Sequence, residues 1–151
     1  MGDLLLTLFL VFLNGFFVAA EFAIVKVRSS QLEVRSVVNR RLAAAAKSII
    51  ANLDSYLAAT QLGITLASLG LGWVGEDVMS KLIIRAFDLF NLNFSEQTAH
   101  SLALPLAFVV ITVLHIIFGE LAPKSLAIQF PTSTTFVVAW PMKVFYFIFR
   151  P

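Results

Sequence analysis

His115-Ile-Ile-Phe-Gly-Glu-Leu-Ala-Pro-Lys124 closes a long apolar run, and its reading decides the fold. No Asp, Glu, Lys or Arg lies between Ser101 and Gly119; Glu120, Pro123 and Lys124 then arrive together, and apolar character resumes at Leu126-Ala-Ile128. A charged residue at the centre of a membrane helix costs about 2.5–3.5 kcal/mol, so an acid here needs a reason. Pro123 lacks an N–H and clashes with the preceding turn, which predicts a helix break that frees backbone carbonyls near Glu120. An acid beside freed carbonyls at membrane depth is a pattern for holding a cation. The bland alternative is an i,i+4 pair between Glu120 and Lys124. Pro123 weakens it, because that geometry needs a regular helix, and Lys124 can snorkel to the interface. We read Glu120 as an ion-site residue.

Composition agrees. Hydrophobic residues make up 59% of the chain, with 15 phenylalanines and only 13% charged residues, against about 45–50% apolar usage in soluble domains. Lipid must therefore cover part of the surface, and the chain reads as one all-α integral membrane domain. The pI near 9.2 comes from basic residues flanking apolar spans, not from a nucleic-acid face. The absence of cysteine excludes disulfides, thiolate metal sites and Cys nucleophiles. Met1-Gly-Asp3 has no positive n-region, which argues against a cleaved signal peptide. The chain stops at Pro151 inside an apolar, aromatic pattern, so we expect a longer protein beyond it.

Three spans are predicted. Leu4 to Ala20, continued by Phe22-Ala-Ile-Val25, is long enough to cross a hydrocarbon core of about 30 Å. A second uncharged run covers Ser55 to Gly75, and a third Ser101 to Ile117. Between the first two, residues 26–53 interleave Lys26, Arg28, Arg35, Arg40, Arg41 and Lys47 with Leu32, Val34, Val37, Val38, Leu42 and Ile49. That pattern predicts an amphipathic helix on an anionic membrane face. Gly70-Leu-Gly-Trp-Val-Gly75 is expected to loosen or end the second span. Residues 76–100 then read as an external excursion with a short helix (Val78, Leu82, Ile83, Phe87, Phe90) and a loop at Asn91-Leu-Asn-Phe-Ser95. We read Phe136–Phe149, broken by Pro141 and charged at Lys143, as a partly embedded or surface helix rather than a fourth span. The basic 26–53 segment predicts a cytoplasmic location for itself and the C-terminus, with the N-terminus outside.

The polar residues inside the spans have bland readings too. Thr60 and Gln61 are expected to make interhelical hydrogen bonds. Asn14-Gly15 reads as a helix crossing with a cross-helix bond. Glu21 is placed at the cytoplasmic boundary, within reach of Lys26 or Arg28, and His115 reads as a packed, hydrogen-bonded residue. Ala59, Gly63 and Ala67 form a small-residue stripe that lets another helix approach closely. No catalytic motif appears. The G-x-G-x-x-G match at residues 70–75 follows an apolar helix rather than a strand, which excludes a dinucleotide loop. We expect no enzyme. Oxygen ligands around one carboxylate suit a hard cation such as Mg²⁺.

Three stretches carry a resemblance: Leu13-Asn-Gly-Phe-Phe-Val-Ala-Ala-Glu-Phe-Ala23, Tyr56-Leu-Ala-Ala-Thr-Gln-Leu-Gly-Ile-Thr65 and Phe118-Gly-Glu-Leu-Ala-Pro-Lys-Ser125. Across essentially all of residues 1–151 the chain resembles the transmembrane domain of the CNNM/CorC magnesium transporters, whose bacterial members are also called HlyC/CorC or hemolysin-related. The resemblance implies a homodimer in the plasma (inner) membrane, three transmembrane helices with membrane-surface helices per subunit, and a cytoplasmic CBS pair and small C-terminal domain outside these residues. It implies a largely dehydrated Mg²⁺ between the helices, with Glu120 as a ligand; in our reading Gly119, Pro123 and Lys124 support it, Pro123 as the break that exposes carbonyls and Lys124 at the cytoplasmic edge. It places a second ligand, usually asparagine, at Thr60-Gln61, and a serine before the first-span glutamate, where Val18-Ala-Ala20 precedes Glu21. The chain departs at both places: Gln61 keeps a carbonyl on a longer arm, and Ala20 offers only its backbone oxygen. The family also implies export coupled to inward Na⁺. A competing reading from another class is a non-transporting membrane anchor and dimerisation platform, with Ala59, Gly63 and Ala67 as its contact surface. A pore-forming toxin fits poorly, because the spans read as resident, positive-inside helices.

Overall fold

The computed structural model describes residues 2–36, 40–92 and 94–149, with 34–36 described by their backbone alone. Among them the chain is helical, without strands. The first span is α1 (Gly2–Lys26), followed by two short helices, α2 (Ser29–Ser36) and α3 (Arg40–Ala51). The segment read as one amphipathic helix is therefore two. Val37 and Val38, and the side chains of Val34 and Arg35, lie outside the described residues. Helix α3 is amphipathic as expected: Ala43, Ala45, Ala46 and Ile49 are buried while Arg40, Arg41 and Lys47 face outward. Lys47 reaches Glu33 across the α2–α3 corner at 3.5 Å.

Helix α4 runs from Leu53 to Leu89, 37 residues, or about 55 Å at 1.5 Å per residue. This corrects the expectation that Gly70–Gly75 ends the span and that residues 76–100 form a separate excursion. A helical glycine costs only about 1 kcal/mol relative to alanine, and two of these three sit where helices crowd. A Cβ on Gly70 would lie 3.3 Å from Leu10, and one on Gly75 3.1 Å from Ile111. The helix stops in a Schellman motif. Asn91 takes a left-handed φ of 54°, Leu92 N–H donates to Phe87 O at 2.9 Å, and Asn91 N–H to Asp88 O at 3.1 Å. Ser95 then caps α5 (Glu96–Leu114) by accepting from Thr98 N–H. The expected loop is present, with Asn93 outside the described residues.

The third span does not break at Pro123. It widens into a π-helical turn (His115–Leu121) and continues as α6 (Ala122–Gln129), so the apolar helix runs from Glu96 to Gln129 rather than ending at Ile117. The last helix, α7 (Pro131–Phe149), docks Val138, Ala139 and Met142 into a core shared with Phe17, Ala20, Ile24, Ile49 and Tyr56. Tyr56 stacks on Tyr146 with ring centroids 4.5 Å apart. A smaller cluster of Val11, Leu71 and Ile111 joins α1, α4 and α5 at the other end. Three helices are long and apolar enough to cross a membrane: α1, α4 and the α5–π–α6 helix, with α7 not among them. Phe12, Phe108 and Val109 are each more than half exposed, the surface a bilayer covers.

Candidate cation site

The π turn is built by two sequence features about a hundred residues apart. Pro123 has no N–H to give the carbonyl four residues back, Gly119 O. Asn14 supplies that donor instead, with Nδ2 3.1 Å from Gly119 O. The carbonyl five residues before Pro123, Phe118 O, lies against Gly15, where a Cβ would come within 2.9 Å of both that oxygen and Pro123 Cγ. Asn14-Gly15 is thus complementary to the turn: an amide for one carbonyl, a missing side chain for the other. Ala122 N–H closes the turn on Ile117 O, five residues back. Gly119 is needed for the same closeness, since a Cβ there would sit 2.6 Å from the His115 ring.

Asn14 is fully buried and ties three helices together. Its Oδ1 accepts from Ser68 Oγ of α4 at 3.2 Å, and its Nδ2 lies 2.9 Å from His115 Nε2. Gly119 O can only accept, which fixes the amide orientation and makes His115 Nε2 an acceptor as well. The network thereby assigns the ring proton to Nδ1. Every polar atom of Asn14 is used, as burial demands.

The residues expected to ligate a metal are distributed differently. Glu120 lies in the π turn and is exposed; Gln61 is exposed on α4, and its backbone carbonyl accepts from Thr65. Thr60 is fully buried, and its hydroxyl donates to Leu57 O at 2.8 Å within its own helix rather than across helices. Ala20 is fully buried. Hydrogen bonds gather Asn14, Ser68, His115 and Gly119; among the described residues none joins Glu120, Gln61, Thr60 and Ala20. Glu120 forms no ion pair with Lys124, whose Nζ stands 4.5 Å above the Phe22 ring. Half-buried Glu21 pairs with neither Lys26 nor Arg28 among the described residues. No group of three His, Cys, Asp or Glu side chains gathers among those residues.

The small-residue stripe faces α1 of the same chain. Ala59, Gly63 and Ala67 are buried, and a Cβ on Gly63 would fall 2.5 Å from the Phe17 ring. Sequence reasoning also missed Glu76. Because α4 continues, this acid lies beside Phe108 and Thr112, in the middle of the uncharged third span. Helical continuity through Gly75 was the signal that could have found it.

Comparison with known proteins agrees with this architecture. The family description "Cyclin M transmembrane N-terminal domain" (CNNM) matches residues 5–151. The chain is 45% identical to UPF0053 protein YrkA of Bacillus subtilis over 149 residues, covering 99% of this chain and 34% of that protein. It is 41% identical to UPF0053 protein YhdT of the same organism over 142 residues, 94% of this chain and 30% of that one. Uncharacterized protein Rv1841c of Mycobacterium tuberculosis is 32% identical over 151 residues, all of this chain and 42% of that protein. The chain thus spans well under half the length of these relatives. A three-span helical domain with a π turn over its F-G-E-L-A-P-K stretch belongs, on this evidence, to the CNNM family of transmembrane domains.

Proposed function

We propose that this domain moves a divalent cation, Mg²⁺, across the plasma membrane, with Glu120 as its anionic ligand. The observation that carries the reading is an acid inside a π-helical turn on a span otherwise free of charge from Ser101 to Gly119. Such turns concentrate at functional sites because they offset carbonyls from the regular ladder, and an intramembrane acid is functional by default. Thr60 retains an acceptor lone pair after donating to Leu57 O. Gln61 and the backbone of Ala20 are the remaining neutral oxygens, with water completing the octahedron Mg²⁺ demands.

The basic helices α2 and α3 lie in the cytoplasm in this reading, which puts the N-terminus outside. Transport runs outward, driven by an ion gradient such as that of Na⁺. A homodimer and a cytoplasmic CBS pair complete the protein. Bilayer crossing, not catalysis, is its task. The anchor-and-dimerisation alternative loses its contact surface, because α1 of the same chain already occupies the Ala59–Gly63–Ala67 stripe. The test is calorimetric Mg²⁺ titration of the full-length protein in nanodiscs, paired with cellular efflux. Glu120→Gln is expected to abolish transport and the tightest phase of Mg²⁺ binding; a variant that binds and transports like wild type would sink the proposal.

A further inference from the structure

Two clefts lie end to end along the α4–α5 contact and share Glu76. The outer one, about 340 Å³, is bordered by Trp73, Asp77, Ser80, Lys81 and His100. The inner one, about 200 Å³, is bordered by Gly72, Phe108, Ile111, Thr112 and His115. Together they run from the end of the helix pair remote from α2 and α3 down to His115, with polar groups set among apolar walls, and His115 Nε2 meets the buried Asn14 amide at 2.9 Å. The neighbouring residues of α5 at that depth that border neither cleft, Val109 and Val113, are exposed and apolar. The carboxylate of Glu76 thus stands at the level where lipid covers the adjacent helix, and a charge there requires water or a cation beside it.

We propose that this seam is the water-filled approach to the polar knot from the face opposite α2 and α3, and that Glu76 holds the divalent cargo there in hydrated form. The proposal rests on the transport reading above. Mg²⁺ dehydrates reluctantly and binds through one or two carboxylates while keeping several waters, and the inner cleft has room for waters between the ion and its walls. Thr112 and His115 supply hydrogen-bond partners to that water shell. Asn14 and Ser68 meet at the foot of the seam, where His115, the first residue of the π turn, borders the inner cleft and Glu120 lies further along the same turn. Glu76 and Glu120 are distinct stations on one path.

Cysteine labelling tests this directly, since the domain contains no cysteine. A side chain at Gly72 meets nothing within 4 Å, so Gly72→Cys leaves the packing alone, and Thr112→Cys is a second, conservative probe. Val113 is exposed on the same turn of α5 but borders neither cleft, so Val113→Cys is the lipid-facing control. The full-length protein, with any cysteines outside this domain replaced, is treated in intact cells with a membrane-impermeant thiol reagent. Cysteines at 72 and 112 are expected to react at least tenfold faster than one at 113. Millimolar Mg²⁺ in the bath should slow them, and Glu76→Gln should remove that protection. Rates at 72 and 112 no faster than at 113, or protection that survives Glu76→Gln, would overturn the proposal. Normal Mg²⁺ binding by Glu120→Gln would overturn the transport reading instead, and the labelling pattern would stand or fall separately.

Discussion

Helix α4 makes two seams of opposite character. Against α1 it is closed: Gly63 accepts the Phe17 ring, Ala59 and Ala67 are buried, and the polar crossing from Ser68 to Asn14 is hydrogen-bonded. Against α5 it is close only at Leu71, Gly75 and Ile111, and beside that contact lie two clefts, an acid and a glycine facing empty space. Close-packed apolar contacts resist deformation, and a wall bordering a cleft has fewer such contacts to lose. The difference teaches where substitutions are felt: the α1–α4 seam has no room for added atoms, and the cleft side of α4 has.

The comparison breaks most visibly at Gly63. Gly63→Leu forces side-chain atoms into a ring already 2.5 Å from a Cβ, and overpacking a filled core costs about 1–3 kcal/mol or somewhat more. A fall in thermal unfolding temperature with loss of the monodisperse chromatographic peak is the expected result; a stable, monodisperse variant would show that the α1–α4 seam has room after all. Asn14→Leu comes next. It leaves Gly119 O, Ser68 Oγ and His115 Nε2 without the Asn14 partner, at about 1–3 kcal/mol for a buried group left unmade. The melting temperature should drop, with faster hydrogen exchange confined to the π turn and mid-α4.

Thr135→Val should move the other way. The Thr135 hydroxyl is buried without a hydrogen-bond partner among the described residues, so an isosteric apolar replacement is expected to stabilise α7 docking by about 1 kcal/mol. A loss of stability in a melting assay would mean the hydroxyl is engaged. The smallest effect is expected at Gly72. Because a Cβ there meets nothing, Gly72→Ala should gain about 0.5–1 kcal/mol of helix propensity. Gly72 and Gly63, nine residues apart on one helix, would then respond with opposite signs.

What the chain reveals by itself follows from physical range. The three spans, the Asn91–Ser95 loop and the crossing at Asn14-Gly15 rest on local charge gaps and turn chemistry, and all are present. The continuation of α4 through Gly70, Gly72 and Gly75 was hidden because local propensity counts against glycine while Leu10 and Ile111, far away in sequence, make two of those positions useful. Pro123 reads as a break by local rules. The helix carries on through it with the Asn14 amide, 105 residues away in sequence, donating to the carbonyl that Pro123 leaves without a partner. Glu76 read as external for the same reason: its depth is set by its pairing with Phe108 and Thr112, not by its neighbours in sequence.

The π turn also sets the phase of the third span. Along it the buried positions are Ala103, Ala107, Ile111, Gly119 and Ala127, with half-buried His115 and Pro123 filling the series. A strict four-residue repeat drifts about 40° per step around a regular α-helix, so over this length the series would wind away from the face that packs on α4 and then on α1. One residue inserted into a turn rotates everything beyond it by about 100°, against that drift. The turn acts as a clutch, re-aiming α6 so that Ala127 still meets the core. Deleting Ile116 or Ile117 would disengage it, turning everything beyond by about 100° with the F-G-E-L-A-P-K sequence intact.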